Sequence, residues 1–247
     1  MIETWWTRFL DGFTQASPPD ITLIEMTIMV LAAAALSIPR STWRFFGLFT
    51  TIVHELGHSF AALMTGRVLK GITLTMDHAG TTTTIGRPGW RSAWSGFWGY
   101  PTPAVFGATL AWAGINGWGT AALSVGVLIL LAALLFIRNG AGLLILVVAL
   151  GVSVLLAVAL PAQFTGHVVV ALGLALLVGS VRDLGKVISV HLRRRRELES
   201  SDAYLLYRST GVPSPVWLML FALVIAGATA WAWAALSASP QFLRWIG

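Results

Sequence analysis

Long apolar runs separated by short polar stretches fill the chain from residue 21 onward. The runs are continuous rather than alternating, which predicts membrane-crossing helices; each needs about 20 mainly apolar residues. They extend from about Ile21 to Ile38, stopped by Pro39-Arg40, and from Trp43 to Thr65. The third runs from Trp94 to Ile115 and is broken near its start by Pro101 and Pro103. The others cover Thr120 to Ile137, Gly140 to Leu160, Phe164 to Val190 and Pro215 to Leu236. Only Arg138-Asn139 parts the fourth from the fifth, so these two form a tight helical hairpin. The pattern predicts an all-α polytopic membrane protein with about seven transmembrane helices. No internal period recurs, and residues 1–247 are expected to form a single membrane domain.

Three stretches depart from the pattern. Residues 1–20 are a mixed lead carrying Trp5, Trp6, Phe9 and Phe13 and ending at Pro18-Pro19. The lead suits either a position on the membrane surface or a ragged terminus. Residues 67–91 are rich in Thr, Ile, Val and Gly around Asp77-His78-Ala79-Gly80, which predicts a re-entrant or membrane-associated β-hairpin. Residues 191–214 form a polar segment containing Arg193 to Arg196.

Composition supports the membrane class. Of 247 residues, 56% are hydrophobic and 11% charged, against about 25% charged in a soluble domain. There are no cysteines, so any metal site must use His, Asp or Glu. Net charge is +6, with a quarter of the 16 cations in the Arg193–Arg196 block. A basic block beside a span is what topology alone produces, so nucleic acid is not an expected partner. Residues 1–20 lack the basic start and apolar core of a cleavable signal. With seven spans and a cytoplasmic N-terminus, the inside would hold Arg8, Arg67, Lys70, Arg87, Arg91, Arg138, Lys186, Arg193 to Arg196 and Arg208. The outside would hold Arg40, Arg44 and Arg244, an asymmetry that fits the positive-inside rule. Segment 191–214 is then cytoplasmic.

The second run carries His54-Glu55-Leu56-Gly57-His58. Ionisable groups at membrane depth are costly and usually mark function. This HExxH order puts two histidines one helical turn apart, able to direct ring nitrogens at one zinc ion. Glu55 lies within reach of a water on that ion; zinc lowers such a water's pKa towards about 7. Gly57 is expected to keep the helix surface small beside the metal. A polar cluster gluing helices together is the bland alternative.

A catalytic zinc takes three protein ligands and leaves a fourth position open. His191 adjoins the arginines and is expected to be solvated. His167 lies at the far end of its run, and His78 sits at the hairpin turn, from which it would have to reach in. Among carboxylates, Asp183 matches best in depth. His58 lies about 12 Å from the inner end of its run, and Asp183 lies about 15 Å from the basic block. Asp202, in the polar segment, is the weaker candidate, and Arg182 offers Asp183 a plain ion pair instead.

With these elements the sequence resembles the site-2 protease superfamily of intramembrane zinc metalloproteases. The resemblance rests on His54-Glu55-Leu56-Gly57-His58, the Thr/Gly-rich hairpin after it and a later span carrying an aspartate. It is nearest to a compact branch with Ser180-Val181-Arg182-Asp183, Ser201-Asp202-Ala203, Gly211-Val212-Pro213 and Trp217, and it covers roughly residues 45 to 220. The resemblance implies one Zn2+ per chain held by His54, His58 and Asp183, with Glu55 as catalytic base. It departs at Arg182-Asp183-Leu184, where the superfamily has Leu-Asp-Gly, and in the helical pair of runs four and five. It further implies hydrolysis of peptide bonds in membrane-anchored protein substrates within the lipid bilayer, for which a bacterial plasma membrane is expected. A helical substrate must unwind first, and the hairpin edge could hold it as an added strand. Two other classes compete: a non-catalytic membrane adaptor that keeps the fold, and a metal or proton transporter. Glu55 argues against the adaptor, and a transporter has no need of Glu within the i, i+4 histidine pair.

Overall fold

The computed structural model describes residues 13–193 and 195–238. Trp5, Trp6, Phe9, Arg8, Arg194 and Arg244 lie outside the described residues, as do the side chains of Arg195 and Arg196. Among the described residues the order is α1 (Leu23–Ser37), α2 (Arg40–Met64), β1 (Val68–Leu74), β2 (Gly80–Ile85), α3 (Trp90–Phe97), α4 (Pro101–Ile115), α5 (Gly119–Leu134), α6 (Gly140–Ala159) and α7 (Ala162–Arg193). A 3-10 turn at Arg195–Ser200, α8 (Asp202–Thr210) and α9 (Ser214–Ser237) complete it.

All seven apolar runs form helices, but the structure supports fewer crossings. Among the described residues only α6, α7 and α9 are long and apolar enough to cross alone. α1 and α2 qualify only as a pair bent by 89°, which gives three spans, or four if the pair is one. With 15 and 16 residues, α4 and α5 are about 22–24 Å long, short of a hydrocarbon core of about 30 Å. The third run is split because Pro101 opens a new helix after Trp98–Tyr100. α2 fails alone because its apolar residues share the helix with the polar face that lines the site.

The long helix α7 is the central post, packed chiefly on α4 and then on α1. Two glycine pairs allow the α4–α7 approach. A Cβ on Gly173 would fall 2.5 Å from the Gly107 carbonyl oxygen, and one on Gly166 would fall 2.7 Å from that of Gly114. Helices in lipid associate through such close packing of small residues rather than through the hydrophobic effect. Trp43, Phe46, Val53, Leu110, Val169 and Leu176 form the core where α2, α4 and α7 meet.

The hairpin forms as expected, antiparallel with a bulge at Leu69/Gly71. Its turn places His78 at φ 66°, an uncommon left-handed position for a non-glycine. The strands lie against α2, so the turn reaches back towards the start of that helix, where His78 Nε2 is 3.2 Å from the Arg44 carbonyl oxygen. The α5–α6 connection covers the outer edge of β1. Ile72 N–H donates to the Phe136 carbonyl (2.8 Å), Arg138 N–H donates to that of Ile72 (3.0 Å), and the Asn139 amide bonds both backbone groups of Leu74. The additional helical pair thereby satisfies one edge of the hairpin. Among the described residues no strand pairs with the far side of β2.

Beyond α7 the polar segment turns back into the protein. Ser201 caps α8 by accepting from Tyr204 N–H, and left-handed Gly211 ends it. Ala203 and Leu206 of α8 are buried against Ala93 of α3 and Phe221 of α9. This packing holds the first turn of α8 against the HExxH face of α2.

Candidate metal centre

Helix α2 aims both histidines at one point. His54 Nε2 and His58 Nε2 are 3.2 Å apart. The third corner is Asp202 Oδ2, 3.1 Å from His54 Nε2 and 3.2 Å from His58 Nε2. For tetrahedral zinc with bonds of about 2.0–2.1 Å, ligand atoms stand about 3.3 Å apart. The three edges therefore match those around one such ion.

The donor chemistry fits a cation as well. His58 Nδ1 donates to the Ser95 carbonyl oxygen at 2.7 Å, which fixes the neutral tautomer and leaves a lone pair on Nε2. Asp202 Oδ2 is buried and forms no aligned hydrogen bond despite its two close nitrogens. Two imidazole nitrogens and a carboxylate oxygen converge there, a donor set suited to a positive ion held between them. With no metal bound, protonation of the two histidines would outweigh the burial that raises the Asp202 pKa and hold it well below the usual carboxylate range, so the cluster calls for positive charge beside this carboxylate.

Neighbouring elements hold these donors in place. The Ser95 hydroxyl donates back to the His58 carbonyl at 2.9 Å, locking α3 to α2. The Tyr100 ring meets that of His54 edge-on at 4.8 Å and stacks on Phe221. Gly99 lies directly over the histidines: a Cβ there would be 2.4 Å from His58 Nε2 and 2.6 Å from His54 Nε2. Gly57, expected to make room for the metal, makes room for the backbone instead, since a Cβ there would meet the Trp98 carbonyl oxygen at 2.3 Å.

Glu55 is 3% exposed and faces β2. Its Oε2 accepts from the Thr82 hydroxyl at 2.7 Å, and Gly80 leaves the space beside Oε1 open. His54, Glu55, His58, Asp202, Tyr100 and Asp183 all line one cavity of about 600 Å³.

The sequence-based choice of Asp183 as third ligand differs from this geometry. The structure puts Asp202 against the histidines, while Asp183 lines the same cavity without joining the triad. Depth along a helix fixes neither which way a side chain faces nor whether a polar segment folds back. Arg182 does not pair with Asp183 either; it donates to the Ser37 and Ile38 carbonyls. His167 is remote, with Nε2 3.7 Å from Glu25 Oε2. His191, expected to be solvated, is half-buried and lies 3.4 Å from the Ser201 hydroxyl. Ser95, Thr82, Gly99 and Tyr100 were not singled out from the sequence. Asp202 stood as the weaker candidate, carried by Ser201-Asp202-Ala203, and the structure adds that Ser201 caps its helix.

Comparison with known proteins decides the family. The profile described as Peptidase M50B-like matches residues 27–232. The chain belongs to the Peptidase M50B-like family. No curated protein and no solved structure matches it. M50 peptidases are zinc-dependent membrane proteases, and the apolar helices agree with an integral membrane protein. In this M50B-like chain the His54, His58 and Asp202 donors are the group able to hold that metal among the described residues.

Proposed function

We propose that the protein is an intramembrane zinc endopeptidase that cleaves membrane-anchored protein substrates. The observation that carries this reading is the convergence of His54 Nε2, His58 Nε2 and Asp202 Oδ2 within 3.2 Å of one another beside a buried glutamate. Zinc held there would supply Lewis acidity, polarising the scissile carbonyl and acidifying water. Glu55 takes a proton from the attacking water as its oxygen bonds to the carbonyl carbon. The same carboxyl returns the proton to the amine nitrogen as the C–N bond breaks. The Thr82 hydroxyl holds one oxygen of Glu55 and leaves the other for this exchange. The far side of β2 supports capture of an unwound substrate segment as an added strand. The charge asymmetry of the loops supports a cytoplasmic N-terminus and a site nearer that face.

The test has two parts. Metal analysis of purified protein should find about one zinc per chain in the wild type and in Asp183→Ala, and little in His54→Ala or Asp202→Ala. Labelling of new N-termini in membranes should reveal cleavages with the wild type that disappear with Glu55→Gln. A zinc-free wild type, or a Glu55→Gln protein that makes the same cleavages, would overturn the enzyme reading in favour of an adaptor. Full zinc in Asp202→Ala would remove Asp202 from the ligand set.

A further inference from the structure

Asp183 is a carboxylate inside the catalytic cavity that neither the triad nor the proton transfer uses. It projects from α7, an apolar helix of 32 residues, where an ionised group without a partner is costly. Its obvious partner is engaged elsewhere. One terminal nitrogen of Arg182 donates to the Ser37 and Ile38 carbonyls, at 2.7 Å each, and its guanidinium lies 4.5 Å over the Trp43 ring. Lys186, one turn further along α7, also lines the cavity, yet forms no ion pair with Asp183 within 4 Å. Among the described residues Asp183 has neither a salt bridge nor a hydrogen bond.

We propose that Asp183 is a subsite for a basic side chain, so that the enzyme selects segments carrying Lys or Arg beside the bond it cuts. The inference rests on the protease reading and on the cytoplasmic placement of the cavity. A membrane-anchored substrate carries its excess of Lys and Arg at its cytoplasmic end. A segment entering from that side brings a cation to the depth of Asp183. The low-polarity surroundings strengthen the pairing, and the visiting cation replaces the partner that Arg182 does not provide.

The experiment uses full-length Glu55→Gln protein in lipid nanodiscs, so binding is read without turnover. The probes are single-span Leu/Ala helices with one photoreactive residue and a single Lys, Gln or Glu at the cytoplasmic end. Cross-linking to the cavity should favour the Lys probe over the Glu probe by roughly tenfold or more, the scale of one charge-assisted hydrogen bond. Asp183→Asn should erase that preference, Asp183→Glu should keep it, and Asp183→Lys should reverse it. Equal labelling by all three probes, an unchanged preference in Asp183→Asn, or no labelling at all would overturn the proposal. So would loss of zinc in Asp183→Asn, which would return Asp183 to the ligand set. The two readings fail separately: Asp183-dependent capture of probes that the Glu55 enzyme never cleaves would sink the protease and leave the subsite standing.

Discussion

Gly99→Ala tests the centre more sharply than removal of a ligand, because it adds a single methyl group and deletes nothing. The new Cβ would lie 2.4 Å from His58 Nε2 and 2.6 Å from His54 Nε2, where ordinary contact begins near 3.4 Å. The imidazoles, or the Trp98–Tyr100 backbone, must then yield by about 1 Å. Metal sites tolerate only about 0.2 Å of error in ligand distance. His58 has little freedom to move, since Ser95 holds both its Nδ1 and its carbonyl. Zinc affinity should therefore fall by at least the 10–100-fold typical of lost supporting contacts. Overpacking should cost about 1–3 kcal/mol of stability. The assay is zinc titration against a chelator of known affinity, with thermal unfolding run in parallel. Gly126→Ala, in α5, is the control: its Cβ would meet nothing within 4 Å and should leave affinity unchanged. Wild-type zinc affinity in Gly99→Ala would refute the placement of this glycine over the candidate ligands His54 and His58, and with it the assembled triad.

Other outcomes follow from the same contacts. Thr82→Val removes the hydroxyl that orients Glu55; at about 1.5–3 kcal/mol for a hydrogen bond to a charged group, kcat should drop roughly 10–100-fold with zinc content unchanged. Gly173→Leu drives a side chain into the Gly107 carbonyl and should lower the melting temperature in detergent, at a cost of about 1–3 kcal/mol or more. Asn139→Ala strips both backbone groups of Leu74 of their partners; faster hydrogen exchange across β1, with the zinc retained, is the expected reading. Arg182→Gln should destabilise the α1–α2 corner by about 1–3 kcal/mol, because the Ser37 and Ile38 carbonyls lose their charged donor.

Local pattern was enough to establish much of this protein. Apolar runs gave every long helix, since the period and length of a hydrophobic stretch decide helix formation wherever the chain meets lipid. Thr-rich β-branched runs around Asp77–Gly80 gave the hairpin. His54, Glu55 and His58 lie within five residues on one helix, so helical geometry alone brings the two histidines together. What pattern could not give depends on how elements meet. Hydropathy treats 191–214 as a polar loop, yet α8 returns because Ala203 and Leu206 find an apolar seat on α3 and α9. That fold-back, not depth along a span, puts Asp202 rather than Asp183 beside the histidines. Prolines marked the breaks at Pro39 and Pro101 in the sequence, but only the structure shows the 89° bend and the short helices that leave three or four candidate crossings among the described residues. Gly99, Ser95 and Thr82 carry no signal in the sequence; their roles arise only where three elements close around one face of α2.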